Sequence, residues 1–336
     1  MQTEYLNKIK KLTQISNDHF NGVFEQLQRD SNWTSNSRRS LHEDYWTKTI
    51  LLPAQKICET ETITFDEFWE RINLHEVIFG SALGRKLVKR QNRRKLISSI
   101  FSKNENVQNG AVEFEQCVQM LFKNRVQMVS PMLASRFMRD ELLSLVGHHS
   151  KDCDVIIDLG SGWGRYSTLF ADRFKGHKVY AGEISEGGRN VTKFINEQYN
   201  LGICSFQFDY QNWDGLNKIL KKLADKRILI FSNHSIEQVT YLNKQLFYDI
   251  LKSVKDVKFL HIEPVGWQVD QSKSILLQST PPSDKLGPVG GYNKNFWIIL
   301  KASEIGGKIS SLAATINYIA NDNLNNAGTK IVYEAS

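Results

Sequence analysis

The stretch Val155-Ile156-Ile157-Asp158-Leu159-Gly160-Ser161-Gly162-Trp163-Gly164-Arg165-Tyr166 decides how this chain is read. Four apolar residues around one acid have the length and β-branched content of a buried strand. The three alternate glycines that follow let the backbone turn tightly and approach a ligand closely. A helix starting just after them presents free N–H groups and positive potential to a negative or polar group. Strand, acid, glycine loop and helix in one run predict a ligand-binding loop at the carboxyl edge of an α/β sheet.

Working outward, short β-rich runs alternate with helical stretches: Cys153 to Asp158, Lys178 to Glu183, Ile203 to Phe208, Arg227 to Phe231 and Val257 to Glu263. Such alternation predicts a parallel sheet with crossover helices. Lys308 to Ile319 and Thr329 to Glu334 are two further strand-like runs, joined by the Asn/Asp-rich Asn321 to Gly328, and they predict a hairpin. Four of the six prolines lie between Glu263 and Tyr292, marking a long loop.

Two acids stand at matching positions on the neighbouring strands. Glu183 closes the second strand, 25 residues after Asp158, where a carboxylate can accept both hydroxyls of a ribose. Asp209 follows the third, where it can accept a hydrogen bond from an exocyclic adenine amine. A nicotinamide dinucleotide would favour GxGxxG, and the third glycine of that pattern falls on Arg165. The DxGxGxG form seen here resembles motif I of the class I S-adenosylmethionine-dependent methyltransferases.

That resemblance spans about residues 150 to 336. It implies a Rossmann-like methyltransferase fold of class α/β, with a mostly parallel seven-stranded sheet ending in an antiparallel hairpin, and S-adenosylmethionine as cofactor. It assigns Asp158, Gly160, Ser161, Gly162 and Gly164 to the cofactor's methionyl part, Glu183 to the ribose and Asp209 to the adenine. Tyr210 and Asn233, beside the third and fourth strand ends, complete the expected cofactor residues.

Methyl transfer from a sulfonium is an in-line displacement, so the acceptor must be held opposite sulfur and, if it is a hydroxyl, must lose a proton. The segments after Phe231 and Ile262 lie where the ligand of an open sheet is expected. They supply Ser232-Asn233-His234-Ser235-Ile236-Glu237-Gln238 and Glu263-Pro264-Val265-Gly266-Trp267. His234 is the candidate base because its ordinary pKa lies near neutrality, with Glu237 to orient it and Glu263 as a third catalytic candidate. His234 can equally be a loop residue that caps a helix or bonds the cofactor. His261 and Glu263 share one face of a strand, but no dense ligand spacing indicates a metal. Trp267, Tyr292 and Trp297 are either pocket walls or ordinary core.

There is no Asp/Asn-Pro-Pro-aromatic tetrad after the fourth strand, which in resembling enzymes grips the exocyclic amine of a nucleobase. The Ser232 to Gln238 segment instead looks like methyltransferases acting on hydroxyls of small molecules or sugars.

The first 150 residues read as an all-helical module, a lid, substrate platform or homodimer surface. Apolar residues recur at helical spacing in Leu6, Ile9, Leu12, in Phe65, Phe68, Ile72, and in Val118, Phe122, Val126. Thr64 with Glu67, and Ser130 before Pro131, mark helix starts. Residues Arg85 to Lys95 hold seven basic residues and no acid, which equals the whole net charge of +7. The basicity is therefore local. It suits an anionic acceptor, or an RNA backbone if the chain methylates RNA; a non-catalytic cofactor-binding scaffold is the remaining alternative.

At 336 residues, 41% hydrophobic and 24% charged, the chain has room for two domains, expected as 1–150 and 151–336. The composition excludes wholesale disorder and fibrous repeats. No apolar run approaches the ~18 residues of a membrane span, and Met1 to Lys11 is polar, so the expected location is cytoplasmic without a signal peptide. Four scattered cysteines without a CxxC pair predict thiols, not disulfides or a zinc knuckle.

Overall fold

A computed structural model describes residues 43, 45–60, 62–79, 117–253, 256–270, 272, 293–321, 324 and 327–335. Its centre is a nine-stranded sheet. In chain order the strands are β1 (Val118–Phe122), β2 (Arg125–Val129), β3 (Val155–Leu159), β4 (Lys178–Glu183), β5 (Cys204–Gln207), β6 (Ile228–Asn233), β7 (Val257–Glu263), β8 (Ile309–Asn321) and β9 (Gly328–Ala335). In space the order is β2-β1-β8-β9-β7-β6-β3-β4-β5.

The five strands from β5 to β7 run parallel, and β9 inserts antiparallel between β7 and β8. This is the expected parallel sheet with its C-terminal hairpin. β3 lies in the middle, with β4 on one side and β6 on the other, so the winding direction reverses next to the glycine loop. Ligands of doubly wound sheets bind at such a switch point.

The helices are α1 (Leu52–Thr60, entered by a π-helical turn Thr47–Leu51), α2 (Phe65–Phe79), α3 (Pro131–His149), α4 (Arg165–Arg173), α5 (Glu186–Tyr199), α6 (Asp214–Lys222), α7 (Lys244–Ser253), α8 (Gly266–Val269) and α9 (Phe296–Ile305). Two starts follow the sequence signals. Thr64 Oγ1 accepts the Glu67 N–H at 3.3 Å, and Ser130 Oγ accepts the Leu133 N–H with Pro131 in the first turn.

Alternation along the parallel strands sorts the core into two layers. Ile156, Val179, Ala181, Leu229, Phe231, Leu260 and Ile262 face one cluster, which also takes Phe68, Trp69 and Ile72 of α2, Leu142 of α3 and Leu169 of α4. Val155, Ile157, Ile228, Ile230, Val257 and Phe259 face the other, against α6, α7 and α9. The N-terminal helices thus share the apolar layer of the sheet's first face.

One stretch of the expected all-helical segment is corrected. Val118, Phe122 and Val126 lie in the hairpin β1–β2, which extends the sheet from the expected seven strands to nine through Met120 to Phe122 against Ile319 to Asn321. Its two-residue turn, Lys123-Asn124, has both residues left-handed, at φ 47° and 64°, the geometry that matches the strand twist. The basic segment 85–95, Leu6, Ile9, Leu12 and Tyr292 lie outside the described residues. Among the described residues no helix is long and apolar enough to cross a membrane. The cysteines are unpaired; Cys153 is buried and Cys117 exposed.

Candidate active site

The carboxyl ends of β3 to β6 surround a cavity of about 270 Å³. Asp158, Gly160, Ser161, Gly162, Glu183, Asp209, Tyr210, Asn233 and His234 line it, so the structure brings nine of the sequence candidates to one place.

The glycine loop is held from both sides. Gly160 N–H and Ser161 N–H donate to the Gly182 carbonyl at 2.8 and 2.9 Å, and Gly162 N–H donates to Glu183 Oε2 at 3.0 Å. Gly160 has φ 71°, and a Cβ there would come within 2.4 Å of the Ser235 Cβ. Gly162 has φ 58° and lies under the Trp46 ring, 3.1 Å from where its Cβ would be. Neither position accepts a side chain without backbone strain or displacement. Gly164 is left-handed too, but it serves as the N-cap of α4 and does not line the cavity.

Glu183 ties the loop to the next helix. Its Oε1 accepts both the N–H and the hydroxyl of Ser185, the N-cap of α5. Oε1 thus has two donors already, while Oε2, with the Gly162 N–H alone, keeps capacity for one more, such as a ribose hydroxyl. Asp209 lines the cavity, and its Oδ1 accepts the Gln211 N–H at 2.8 Å. Tyr210 lies inward: its hydroxyl donates to the Leu159 carbonyl and contacts Ser235 Oγ at 2.8 Å, bracing β3 against the β6 loop. Ser161 Oγ and Asn233 Oδ1 are buried, line the cavity and make no protein hydrogen bond. Buried polar atoms in this position suit a polar ligand.

Asp158 is buried and accepts the Ser167 hydroxyl at 2.6 Å. Burial pushes its carboxyl up to about 7, helped by the charge of Glu183 and opposed by Ser167.

The three catalytic candidates are arranged in depth. His234 lines the cavity in a left-handed conformation, φ 52°, with its N–H on the Ile262 carbonyl. Its Nδ1 is 3.5 Å from Glu237 Oε2, which makes no hydrogen bond. Glu237 is not part of the cavity wall. Glu263 lies behind the loop and is fully buried. It accepts the Ser232 hydroxyl at 2.7 Å, the Ser235 N–H at 3.1 Å and the Glu237 N–H at 3.3 Å. Burial, then the neighbouring Glu237, pushes Glu263 up to about 7. The geometry makes Glu263 the anchor of the 232–237 loop. His261 is spoken for as well: its ring nitrogens meet Ser232 Oγ at 2.7 Å and Tyr333 Oη at 3.0 Å, and burial pushes it down to about 3. Trp267 and Trp297 do not line the cavity.

Among the wall residues that sequence reasoning missed, three come from charged or aromatic positions around the loop. Trp46 covers the glycine loop, Glu76 comes from α2, and Arg165 follows the loop directly. Arg165 had a signal, its place in the motif. Trp46 and Glu76 are more than 80 residues distant in sequence and had none.

The strand order around the switch point, the antiparallel pair beyond β7 and the loop with its two acids coincide. The fold is the expected Rossmann-like α/β sheet with its antiparallel C-terminal hairpin.

Solved structures similar to the chain include an O-methyltransferase from Bacillus cereus in complex with SAH, 16% identical over 60% of this chain and 81% of that one, TM-score 0.38. The methyltransferase domain of the bacterial protein CtHen1-C is 12% identical over 60% of this chain and 99% of that one, TM-score 0.42. The tRNA methyltransferase TrmK of Bacillus subtilis is 13% identical over 58% and 65%, TM-score 0.35. No protein-family model matches the sequence, and no curated protein is significantly similar to it.

Proposed function

We propose that the chain is an S-adenosylmethionine-dependent methyltransferase acting on a hydroxyl of a small molecule or sugar. The observation that carries this reading is the convergence of the glycine loop, Glu183 and Asp209 on one cavity with His234 at its wall. The cofactor, when bound, supplies an electrophilic methyl on sulfonium. Asp209 would read the adenine amine, Glu183 would accept a ribose hydroxyl at Oε2, and the loop at Gly160 to Gly162, next to Asp158, would hold the methionyl part. The orphaned Ser161 and Asn233 atoms fit a polar ligand of this kind.

The chain's own work is then orientation and proton removal. His234 takes the acceptor's hydroxyl proton as the oxygen attacks. The Glu237 carboxylate, 3.5 Å from Nδ1, holds the ring and stabilises the imidazolium that forms. Glu263 acts on His234 through the backbone of the loop and is a positioning residue. The left-handed backbone at His234, a strain of about 1–3 kcal/mol, is tolerated because Glu263 fixes the residues around it.

The test uses methyl-labelled S-adenosylmethionine with purified protein and fractionated cell extract. Label in the small-molecule or glycan fraction, lost in Asp209→Ala, is the expected result. Nuclease-sensitive label would move the acceptor to RNA, and cofactor binding without any transfer would leave a scaffold. For the base, His234→Ala is expected to slow turnover by about 10²-fold or more, and a loss within about threefold would remove His234 from that role.

A further inference from the structure

The wall of the cavity that the glycine-loop resemblance leaves without a role is built by two opposite charges. Arg165, first residue of α4, sends Nη2 to Asn73 Oδ1 and, at 3.0 Å, to Ser135 Oγ, so α2 and α3 both fix the guanidinium. Its plane lies over the Trp69 and Tyr166 rings, 5.8 and 5.5 Å from their centroids. Glu76, one turn along α2 from Asn73, brings Oε2 to 3.5 Å from Arg165 Nη1, too far for a hydrogen bond. Arg165 Nε and Glu76 Oε2 are each buried without a hydrogen-bond partner. Both side chains keep partial exposure, 23% and 16%, and both line the cavity.

A guanidinium and a carboxylate that each leave one buried atom unbonded are costly unless something else satisfies those atoms. The complement is a group carrying an ammonium and a carboxylate side by side. We propose that Glu76 and Arg165 form a subsite for a zwitterionic α-amino acid group, Arg165 taking its carboxylate and Glu76 its ammonium. The inference rests on the cofactor reading above: with adenine at Asp209 and ribose at Glu183, the amino-acid tail of the same ligand would be left to the part of the cavity lined by Gly162, Glu76 and Arg165. The N-terminal helices are thereby part of the cofactor site, since α2 supplies Glu76 and, through Asn73, the position of Arg165.

Isothermal titration with three adenosyl ligands tests it. S-adenosylhomocysteine carries both charges of the amino acid group, decarboxylated S-adenosylmethionine keeps the ammonium beside its sulfonium and lacks the carboxylate, and 5′-methylthioadenosine has neither. Arg165→Gln is expected to weaken S-adenosylhomocysteine at least tenfold and to leave the other two within about twofold. Glu76→Gln is expected to weaken both ammonium-bearing ligands and to spare 5′-methylthioadenosine, whose unchanged affinity reports that each variant is folded. Equal weakening of all three ligands, or no weakening of any, would overturn the subsite while leaving the cofactor reading intact. Wild-type protein that binds none of the three would overturn both.

Discussion

At Asp158 the folded chain raises a carboxyl to about 7 by burial, far above its unfolded value of about 3.9. The folded state therefore holds a proton that the unfolded state has lost, and the stability this contributes is complete below about pH 4 and disappears as pH rises through 7. Glu263, also raised to about 7, acts in the same direction. Thermal unfolding of the ligand-free protein is expected to fall from about pH 5 to pH 8, with Asp158→Asn flattening the slope. Ligand binding has the opposite sign, because a cationic cofactor favours the ionised acid. Affinity for S-adenosylmethionine, which carries the sulfonium charge, should rise several-fold between about pH 6 and pH 8, and Asp158→Asn should lose most of that rise. Glu263→Gln places an amide N–H₂ among donors that now converge on a carboxylate. A loss of about 1–3 kcal/mol in urea unfolding is expected, and Kd should weaken with it because the 232–237 loop is displaced.

At the scale of elements, the N-terminal segment meets the sheet's carboxyl edge at a specific joint. Glu43 accepts the N–H groups of Glu186 and Gly187 through its two oxygens, both at 2.9 Å, so a residue from far upstream caps the first turn of α5. Glu43→Ala is expected to cost about 1 kcal/mol and to quicken release of S-adenosylhomocysteine in stopped-flow displacement, because Trp46 over Gly162 rides on the same segment. The parallel strands and the C-terminal hairpin were legible because continuous apolar runs bounded by turn residues have few other readings. The β1–β2 hairpin was not, for a physical reason. Residues 118, 122 and 126 are spaced by four, which satisfies one face of a helix and one face of a strand alike. The turn that would have decided between them is Lys-Asn, a weaker signal than Asn-Gly. The site was legible where it is local, in the loop and the acids that follow each strand. Depth was not: His234, Glu237 and Glu263 differ in whether they face the cavity or hold the loop from behind, and that depends on how β6 and β7 pair, not on their spacing.

For the whole molecule, the shared apolar layer makes a single mechanical argument. α1 and α2 pack in the same cluster as β3, β4, β6 and β7, while Trp46 precedes the turn that enters α1 and α2 supplies Glu76 and the Asn73 that fixes Arg165. A ligand filling the cavity therefore stabilises contacts on both sides of the glycine loop at once. At a hundred times its Kd, a ligand specific to the folded state adds about 2.7 kcal/mol, and how that gain is distributed shows which parts open together. Hydrogen exchange with and without S-adenosylhomocysteine is expected to slow in α1 and α2 as strongly as in α4, the helix that follows the loop. Slowing confined to residues after 150 would mean that the N-terminal helices cover the site without closing on its ligand. In that case Glu76 and Trp46 would be wall residues whose energy does not enter cofactor affinity, and the acceptor's own contacts would have to be sought on them.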